Sequence, residues 1–359
     1  MKKKLLIRST PVLLLLISLL FFTGCTGENQ ELQGSRKASD HFGAVRQPGP
    51  LTECRYIYFS EGDMLLRYDI RQDKREQIFK AAGPVVFYSP SPDNKDVVIH
   101  LENSLFIYNI VEGSKKIIGT GRFVYAKWSG DNRMIAFLSA DKRLFIHHVV
   151  KEKNTLIASG VVKSKNSFTF SHDYSKIYFT RGAGKNNILA SKSPDGTRYS
   201  QLKFTGAYFT NIILSPDGSF LAYHDYRQLF ILNLATGGIE NYRFKQIPSG
   251  ICWQEQGKIM YLFTDDFTSV KTNIYEYNGK STTLINIHPG ESSLNNILSG
   301  YDFCRSGKKI FYITGDKTEN LWMYDRETGE NKKIYTGNKQ ISRIQSASSF
   351  EEAVIVTGA

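Results

Sequence analysis

The chain has 359 residues and a formal net charge of +12, with 46 Lys and Arg against 34 Asp and Glu. The basic residues are spread along the chain without a run of five, so composition does not indicate a nucleic-acid-binding arm. Four cysteines are present at spacings that match no zinc motif, and three of them, an odd number, follow Cys25. Composition therefore implies neither a disulfide framework nor a zinc site.

The first 24 residues have the layout of an export signal. Four basic residues (Lys2, Lys3, Lys4 and Arg8) precede an apolar run from Val12 to Phe22, which ends in Thr23-Gly24-Cys25. This run is too short for a membrane span, which needs about 20 residues. The junction resembles the lipobox of bacterial lipoproteins, with Phe22 in place of the usual Leu. The resemblance implies cleavage before Cys25 and lipidation of its thiol; an ordinary signal that happens to contain a cysteine is the alternative.

Residues 25–54 are predicted to be the lipidated cysteine followed by a flexible tether. The segment shows no helical or strand periodicity and is rich in Gly, Ser, Gln and charged residues. A flexible chain of this length reaches roughly 30 Å. Loss of the four basic residues of the signal lowers the net charge of the mature protein to about +8, which favours contact with anionic lipid or acidic wall polymers. The alternative is a soluble surface whose dispersed charges only repel one another.

An internal repeat dominates the rest of the chain. An apolar or aromatic residue precedes a polar turn, and a short β-rich run follows, as at Trp128 (SGDN, then MIAFLS) and Leu214 (SPDG, then FLAYHD). The same pattern recurs at Pro90, Phe170, Trp253 and Phe303. Successive anchors are 38, 42, 44, 39 and 50 residues apart. This period is that of one four-stranded propeller blade.

Each unit also contains the residues that close a hairpin. Pro presets φ, Asp bonds to the backbone two residues on, and Gly or Asn accepts the left-handed conformation. The left-handed positions are predicted at Asn94, Asn132, Gly218, Gly257 and Gly307. A second turn signal after each third strand completes four short strands per unit and leaves no room for crossover helices.

These units resemble the repeats of the TolB-like propeller family, which is related in architecture to WD-repeat propellers. The resemblance covers about residues 55–357 and implies an all-β propeller of four-stranded blades over residues 55–359. The first unit lacks its first strand, and ISRIQSA from Ile341 matches one, so we expect seven blades closed by this C-terminal strand. Eight or six blades are the alternatives, since AVIVTGA at the C-terminus is left over. TolB has a further α/β domain that the tether is too short to supply, so a TolB role is not implied.

Several polar clusters contain the residue types of catalytic or metal-binding sites. Ser171, His172 and Asp173 are consecutive in a turn and cannot converge as a catalytic triad. His147 and His148 are neighbours in a strand and point to opposite faces, so they cannot chelate one ion. His100 and His224 occupy equivalent repeat positions at the end of second strands. Oligogalacturonate lyases, which are metal-dependent propeller enzymes, indicate that such a ring can hold catalytic histidines, but packing roles are the commoner reason for single histidines.

The unit between Trp253 and Phe303 departs most from the average, because it carries two long loops, 264–271 and 287–296. They connect the second strand to the third and the fourth to the next blade, so both are expected on one face. The binding residues predicted there are Asp265, Asp266, Phe267, Lys271, His288, Glu291 and Asn295. A tolerated surface insertion is the alternative.

The sequence favours a non-enzymatic binding or scaffold protein, anchored to the outer side of a membrane and contacting an envelope protein or polymer through one propeller face. The alternatives are a glycan-acting enzyme and an envelope sensor. We expect no catalytic residues, metal, cofactor or nucleic-acid partner. Oligomeric state, the ligand, and whether the host has one membrane or two cannot be determined from the residues.

Overall fold

The computed structural model describes residues 55–164, 166–183, 186–204, 211–224, 228–243, 248–253, 259–264, 272–277, 282–285, 297–303, 309–314, 319–337 and 341–347. All the regular elements of these ranges are β-strands. None of the residues described belongs to a helix with the length and apolar character that a membrane crossing needs.

The strands follow one another at short intervals along the chain. The first fourteen are β1 (Tyr56–Glu61), β2 (Met64–Asp69), β3 (Lys74–Lys80), β4 (Phe87–Pro90), β5 (Asp96–Leu101), β6 (Ser104–Asn109), β7 (Lys115–Thr120), β8 (Phe123–Trp128), β9 (Met134–Ser139), β10 (Arg143–His148), β11 (Lys153–Ser159), β12 (Phe168–Phe170), β13 (Ile177–Ala183) and β14 (Asn186–Lys192). The others are β15 (Tyr199–Phe204), β16 (Asn211–Leu214), β17 (Phe220–His224), β18 (Gln228–Asn233), β19 (Ile239–Arg243), β20 (Pro248–Trp253), β21 (Ile259–Thr264), β22 (Thr272–Tyr277), β23 (Thr282–Ile285), β24 (Ile297–Phe303), β25 (Lys309–Thr314), β26 (Asn320–Asp325), β27 (Asn331–Thr336) and β28 (Ile341–Ala347).

The described strands form seven four-stranded antiparallel sheets. Sheets two to seven each use four consecutive strands, from β4–β7 to β24–β27. The first sheet has the order β28-β1-β2-β3, with Tyr56 opposite Ala347 and Glu61 opposite Ile341. The predicted pairing of the C-terminal strand with the N-terminal one is therefore confirmed, and this ladder joins the two ends of the chain.

The core lies between neighbouring sheets. Tyr58, Phe79 and Tyr88 belong to a buried cluster shared by the first and second sheets, and further clusters join the second to the third, the third to the fourth, the fourth to the fifth and the seventh to the first. Polar atoms of these aromatics bond across the gap: the Trp128 indole N–H donates to the Ser89 carbonyl at 3.0 Å, and the Tyr88 hydroxyl donates to the Tyr58 carbonyl at 2.9 Å. Large rings can therefore be buried without leaving an unpaired polar group.

The hairpin between the first and second strands of a sheet has a recurring hydrogen-bond pattern. In the second sheet the Ser91 hydroxyl donates to Asp93 Oδ1 at 2.7 Å and accepts from the Asp96 backbone N–H at 3.0 Å. Asn94 has a φ of 60° and Asn132, in the third sheet, has 61°. The left-handed role predicted for Asn94, Asn132 and Gly218 is confirmed, whereas Gly257 and Gly307 lie outside the described residues.

The connections divide between two faces because the strands alternate in direction. Turns between first and second strands and between third and fourth strands lie on what we call the hairpin face, which includes residues 91–95 and 110–114. Turns between second and third strands, and the connections to the next sheet, lie on the opposite cleft face, which includes residues 102–103 and 121–122. Inner strands of neighbouring sheets run the same way, as the parallel bridge between Asn166 and Asn211 indicates.

Two glycines allow a matched test of the contact between successive hairpins. Gly218 (φ 75°) and Gly237 (φ 72°) are both left-handed, but a Cβ on Gly218 would lie 2.9 Å from His172 Cβ in the preceding sheet, whereas a Cβ on Gly237 meets nothing within 4 Å. Gly237→Ala should cost about 1–2 kcal/mol, the strain of the backbone alone. Gly218→Ala should cost at least about 1 kcal/mol more, because the His172 backbone must shift. Urea denaturation measures both; equal losses would contradict the proposed contact.

Candidate functional site

The structure places the residues singled out from the sequence as follows. Cys25 and the seven predicted binding residues Asp265, Asp266, Phe267, Lys271, His288, Glu291 and Asn295 lie outside the described residues, so those predictions stay predictions. His100 and His224 each lie on the second strand of their sheet, where they pair with Phe87 and Asn211 of the first strand. Both histidines are buried, at 2% and 5% exposure, and their predicted equivalence in the repeat is confirmed.

Ser171, His172 and Asp173 form a turn and do not assemble a triad. The Ser171 hydroxyl donates to Asp173 Oδ1 at 2.7 Å and accepts from the Lys176 backbone N–H at 2.9 Å, as in the equivalent turn at Ser91. Burial alone would raise the pKa of Asp173, but hydrogen bonds from Ser171 and Ser175 outweigh it and the pKa is lowered. The carboxylate stabilises the hairpin, as turn chemistry predicts.

His147 has a packing role. Its side chain is buried, and Nδ1 lies 2.8 Å from Asn154 Oδ1 on the neighbouring strand. Burial is the main cause that lowers the pKa of His147, against the opposing effect of the Asn154 hydrogen bond. The imidazole is therefore neutral at pH 7. The half-buried His148 follows it in β10, so the two rings lie on opposite sides of the sheet.

An open cleft with a volume of about 880 Å³ lies on the cleft face, between the second and third sheets. The connection into β4 contributes Pro84 and Val86, the β5–β6 turn contributes Glu102 and Asn103, and the connection into β8 contributes Arg122. The walls therefore come from three connections, which belong to the two types that the fold gathers on this face. Binding residues concentrate on loops that a rigid scaffold holds in place.

His100 and Phe123 line the floor of this cleft. The His100 ring centroid is 4.8 Å from that of Phe87 and 5.4 Å, edge-on, from that of Phe123. Gly119 makes room for Phe123, since a Cβ there would lie 2.7 Å from Phe123 Cζ. The floor is thus aromatic, and the rim carries one acid, one amide and one guanidinium.

Chemically, this arrangement suits recognition of a polar group against an aromatic surface. Within the described ranges, no group of three or more His, Cys, Asp or Glu side chains is placed to hold a metal ion. Sequence reasoning identified His100 but missed Arg122, Phe123 and Gly119. The Gly119-Thr-Gly121 spacing before Arg122 was the available signal, because it marks a connection that needs small residues.

No protein-family model and no curated protein matches the sequence, but solved structures share its fold. An oligogalacturonate lyase from Vibrio parahaemolyticus is 11% identical, with 79% of this chain and 85% of that chain covered and a TM-score of 0.56. A chain of a mitotic checkpoint complex is 15% identical, with coverage of 76% and 88% and a TM-score of 0.56. A dihydro-heme d1 dehydrogenase is 14% identical, with coverage of 83% and 68% and a TM-score of 0.56.

These similarities confirm that the chain has the predicted β-propeller fold. At such identities they carry the fold alone, because one propeller scaffold serves many unrelated functions.

Proposed function

We propose that the seven sheets form one closed seven-bladed propeller. Contacts between inner strands, β24 with β28, β28 with β4, β4 with β8, β12 with β16 and β16 with β20, support this arrangement. The third and fourth sheets meet through Tyr125 and Phe168, whose ring centroids are 6.3 Å apart. Closure also requires that the sixth sheet contact the seventh, through their first strands β20 and β24. Closure would leave no inner edge exposed for pairing with another chain.

We further propose that this propeller is a binding or scaffold protein, held by a lipid on Cys25 at the outer side of a membrane, that recognises an envelope protein or polymer. The cleft between the second and third sheets is the observation that carries this proposal. Its rim of Glu102, Asn103 and Arg122 over an aromatic floor offers hydrogen bonds and both signs of charge. A broad, polar-rimmed surface of this kind fits a polymer or protein better than a small apolar ligand.

The two long loops of the sixth unit extend the same proposal. In the sequence they lie between β21 and β22 and between β23 and β24, and connections at these two places would belong to the cleft face. Asp265, Asp266, Phe267 and Lys271 on one loop, with His288, Glu291 and Asn295 on the other, would enlarge a recognition surface on that face. Membrane attachment through the lipid and export together argue against a nucleic-acid partner.

Charge reversal at the cleft tests this function. Arg122→Glu should lower the yield of crosslinked partner from intact cells about tenfold, because it places a second acid beside Glu102 on the rim; such a change corresponds to about 1.4 kcal/mol. Arg243→Glu is the matched control, since Arg243 is an exposed arginine at the end of β19 in the fifth sheet, away from this cleft and from the hairpin face. Its crosslinking yield should be unchanged.

Three results would count against the proposal. If both variants capture the same partners at the wild-type yield, the recognition site is not this cleft. If both lose them equally, the effect is one of overall charge. If purified protein releases soluble sugar fragments from envelope polymer, and Arg122→Glu abolishes that release, then the function is a glycan-acting enzyme.

A further inference from the structure

Two valines at the tips of neighbouring hairpins are almost fully exposed. Val111 is 86% accessible in the β6–β7 hairpin, and Val150 is 85% accessible in the β10–β11 hairpin. Their positions are equivalent: the residue before each donates its backbone N–H to the first hairpin of its own sheet, Ile110 to Lys95 and Val149 to Arg133, both at 2.8–2.9 Å. Two adjacent blades thus present an apolar tip at the same place on the hairpin face.

The outer strands beside these tips repeat the pattern. Ile117 is 65% exposed in β7, and Leu156 is 47% exposed in β11. Ile117 lies opposite Phe106 and Leu156 lies opposite Phe145, each directly after a bulge, so these positions are also equivalent. We call Val111, Ile117, Val150 and Leu156 the apolar strip. Scattered exposed apolar residues are ordinary, but here the same pair of positions is exposed and apolar on two neighbouring blades.

Contacts between the two blades place their third-to-fourth-strand hairpins side by side. The Lys116 ammonium on β7 lies 2.5 Å from the Glu152 carboxylate on the β10–β11 hairpin. The Asn154 side-chain amide donates to the Ile118 carbonyl at 2.8 Å. The hairpin that carries Val150 therefore lies directly against the strand that carries Ile117.

The strip is bordered by cations. Residues 110–116 and 149–153 contain four lysines (Lys115, Lys116, Lys151 and Lys153) against two glutamates (Glu112 and Glu152), one of which is paired with Lys116. Lys115, Lys151 and Lys153 are exposed. Apolar tips between lysines are the composition of surfaces that lie in the boundary between lipid headgroups and acyl chains, where the apolar groups are buried and the cations meet anionic headgroups.

The N-terminal segment joins the domain on this same face. Tyr56 opens β1 opposite Asp69, the last residue of β2, and the Arg55 carbonyl accepts from the Ile70 backbone N–H at 2.9 Å in the hairpin that follows. The segment leading from Cys25 therefore enters beside the third-to-fourth-strand hairpin of the first sheet. A lipid at Cys25 would therefore tether the domain from the side of this face, within reach of the bilayer.

We propose that the hairpin face docks on an anionic lipid surface, with the apolar strip partly inserted and Lys151 and Lys153 against the headgroups, whereas the Lys115 ammonium lies over the Phe79 ring at 4.7 Å. The orientation rests on the proposed lipid anchor, but the affinity belongs to the propeller itself. Docking in this way directs the cleft face away from the membrane, toward the partner. Lipid fits better than a second copy of the chain or another protein, because the two most exposed groups stand at separate loop tips and form no flat patch.

Vesicle binding of the unlipidated mature chain tests the surface without the anchor. The test would use residues 25–359 carrying Cys25→Ser, with vesicles of phosphatidylcholine alone or mixed with phosphatidylglycerol. Co-sedimentation would measure binding. The protein should bind the mixed vesicles. Val111→Asn with Val150→Asn should weaken binding by at least about tenfold, because the two side chains proposed to insert into the bilayer become polar. Lys151→Gln with Lys153→Gln should weaken binding roughly fivefold for each lysine and flatten its salt dependence.

Matched controls lie on the opposite face. Val162→Asn changes a valine in the connection between β11 and β12, and Lys142→Gln with Lys163→Gln removes two exposed lysines; both variants should bind vesicles like the parent. Thermal denaturation verifies that each variant is folded. No vesicle binding by the parent, or equal losses in the controls, would overturn the proposal. Loss of a dimer in the valine variant, seen by analytical ultracentrifugation, would identify a second copy as the occupant instead. This assay uses neither the lipid anchor on Cys25 nor the partner. Its failure therefore leaves the proposed function standing, and failure of the proposed function leaves vesicle binding standing.

Discussion

Truncation after Lys339 should unfold the whole domain cooperatively and not merely fray one end. It removes β28, the inner strand of the first sheet, and with it every backbone hydrogen bond that β1 makes on that side. Ile341 is fully buried with Phe59, Phe311 and Leu321 in the cluster between the seventh and first sheets. The loss should approach the roughly 5–15 kcal/mol that stabilises a typical domain. Calorimetry and urea denaturation measure it.

Two variants separate this explanation from a general effect of shortening the chain. A truncation that removes only residues 350–359 retains β28 and should melt like the parent if ring closure depends on that strand alone. Ile341→Ala in the full chain should cost about 2–4 kcal/mol, because it opens a cavity in a packed cluster but keeps the ladder. An unaltered melting transition in the longer truncation would contradict closure by this strand.

Replacing Cys25 by Ser should abolish stable membrane attachment. The prediction rests on the Gly24-Cys25 junction after a short apolar run. Two acyl chains contribute about 0.8 kcal/mol for each buried CH₂ group, which makes anchoring durable. Weak binding of the apolar strip to lipid would not anchor the protein durably by itself. In membranes washed with concentrated salt, the parent should remain bound and the Cys25→Ser variant should be released or accumulate unprocessed.

The mass of the protein provides the second measurement. The parent should be heavier than its unmodified chain from Cys25 by the acyl groups, and the variant should lack that increment. Cys54→Ser is the matched control, because it removes a cysteine outside the lipobox-like sequence and should change neither mass increment nor retention. A Cys25→Ser protein with the same retention and the same modification would show that the anchor is elsewhere. Retention of the Cys25→Ser protein only at low salt would not show this, because the apolar strip is proposed to bind lipid weakly by itself.

The sequence by itself determined the repeating unit, because the signals that define a blade are local. The Ser-x-Asp turns at Ser91 and Ser171 bond within six residues, and the left-handed positions Asn94 and Asn132 follow from the conformations that their side chains tolerate. The pairing of β28 with β1 was also predictable. The first unit lacked a strand, the C-terminus carried one to spare, and an unpaired inner edge is costly.

Only the tertiary structure decided which surfaces the ring presents, because these depend on side chains about 40 residues apart that meet between neighbouring sheets. The cleft exists where Gly119 admits the Phe123 ring and His100 packs against that ring; the glycine spacing marks the connection, but the contact between the two rings depends on how the second and third sheets pack. The two valine-bearing hairpins of the apolar strip are neighbours because the second and third sheets pack together, as the ion pair between Lys116 and Glu152 shows. Valine in a strand-rich sequence ordinarily predicts burial, and exposure of Val111 and Val150 is a property of the hairpin tips that only the assembled sheets define.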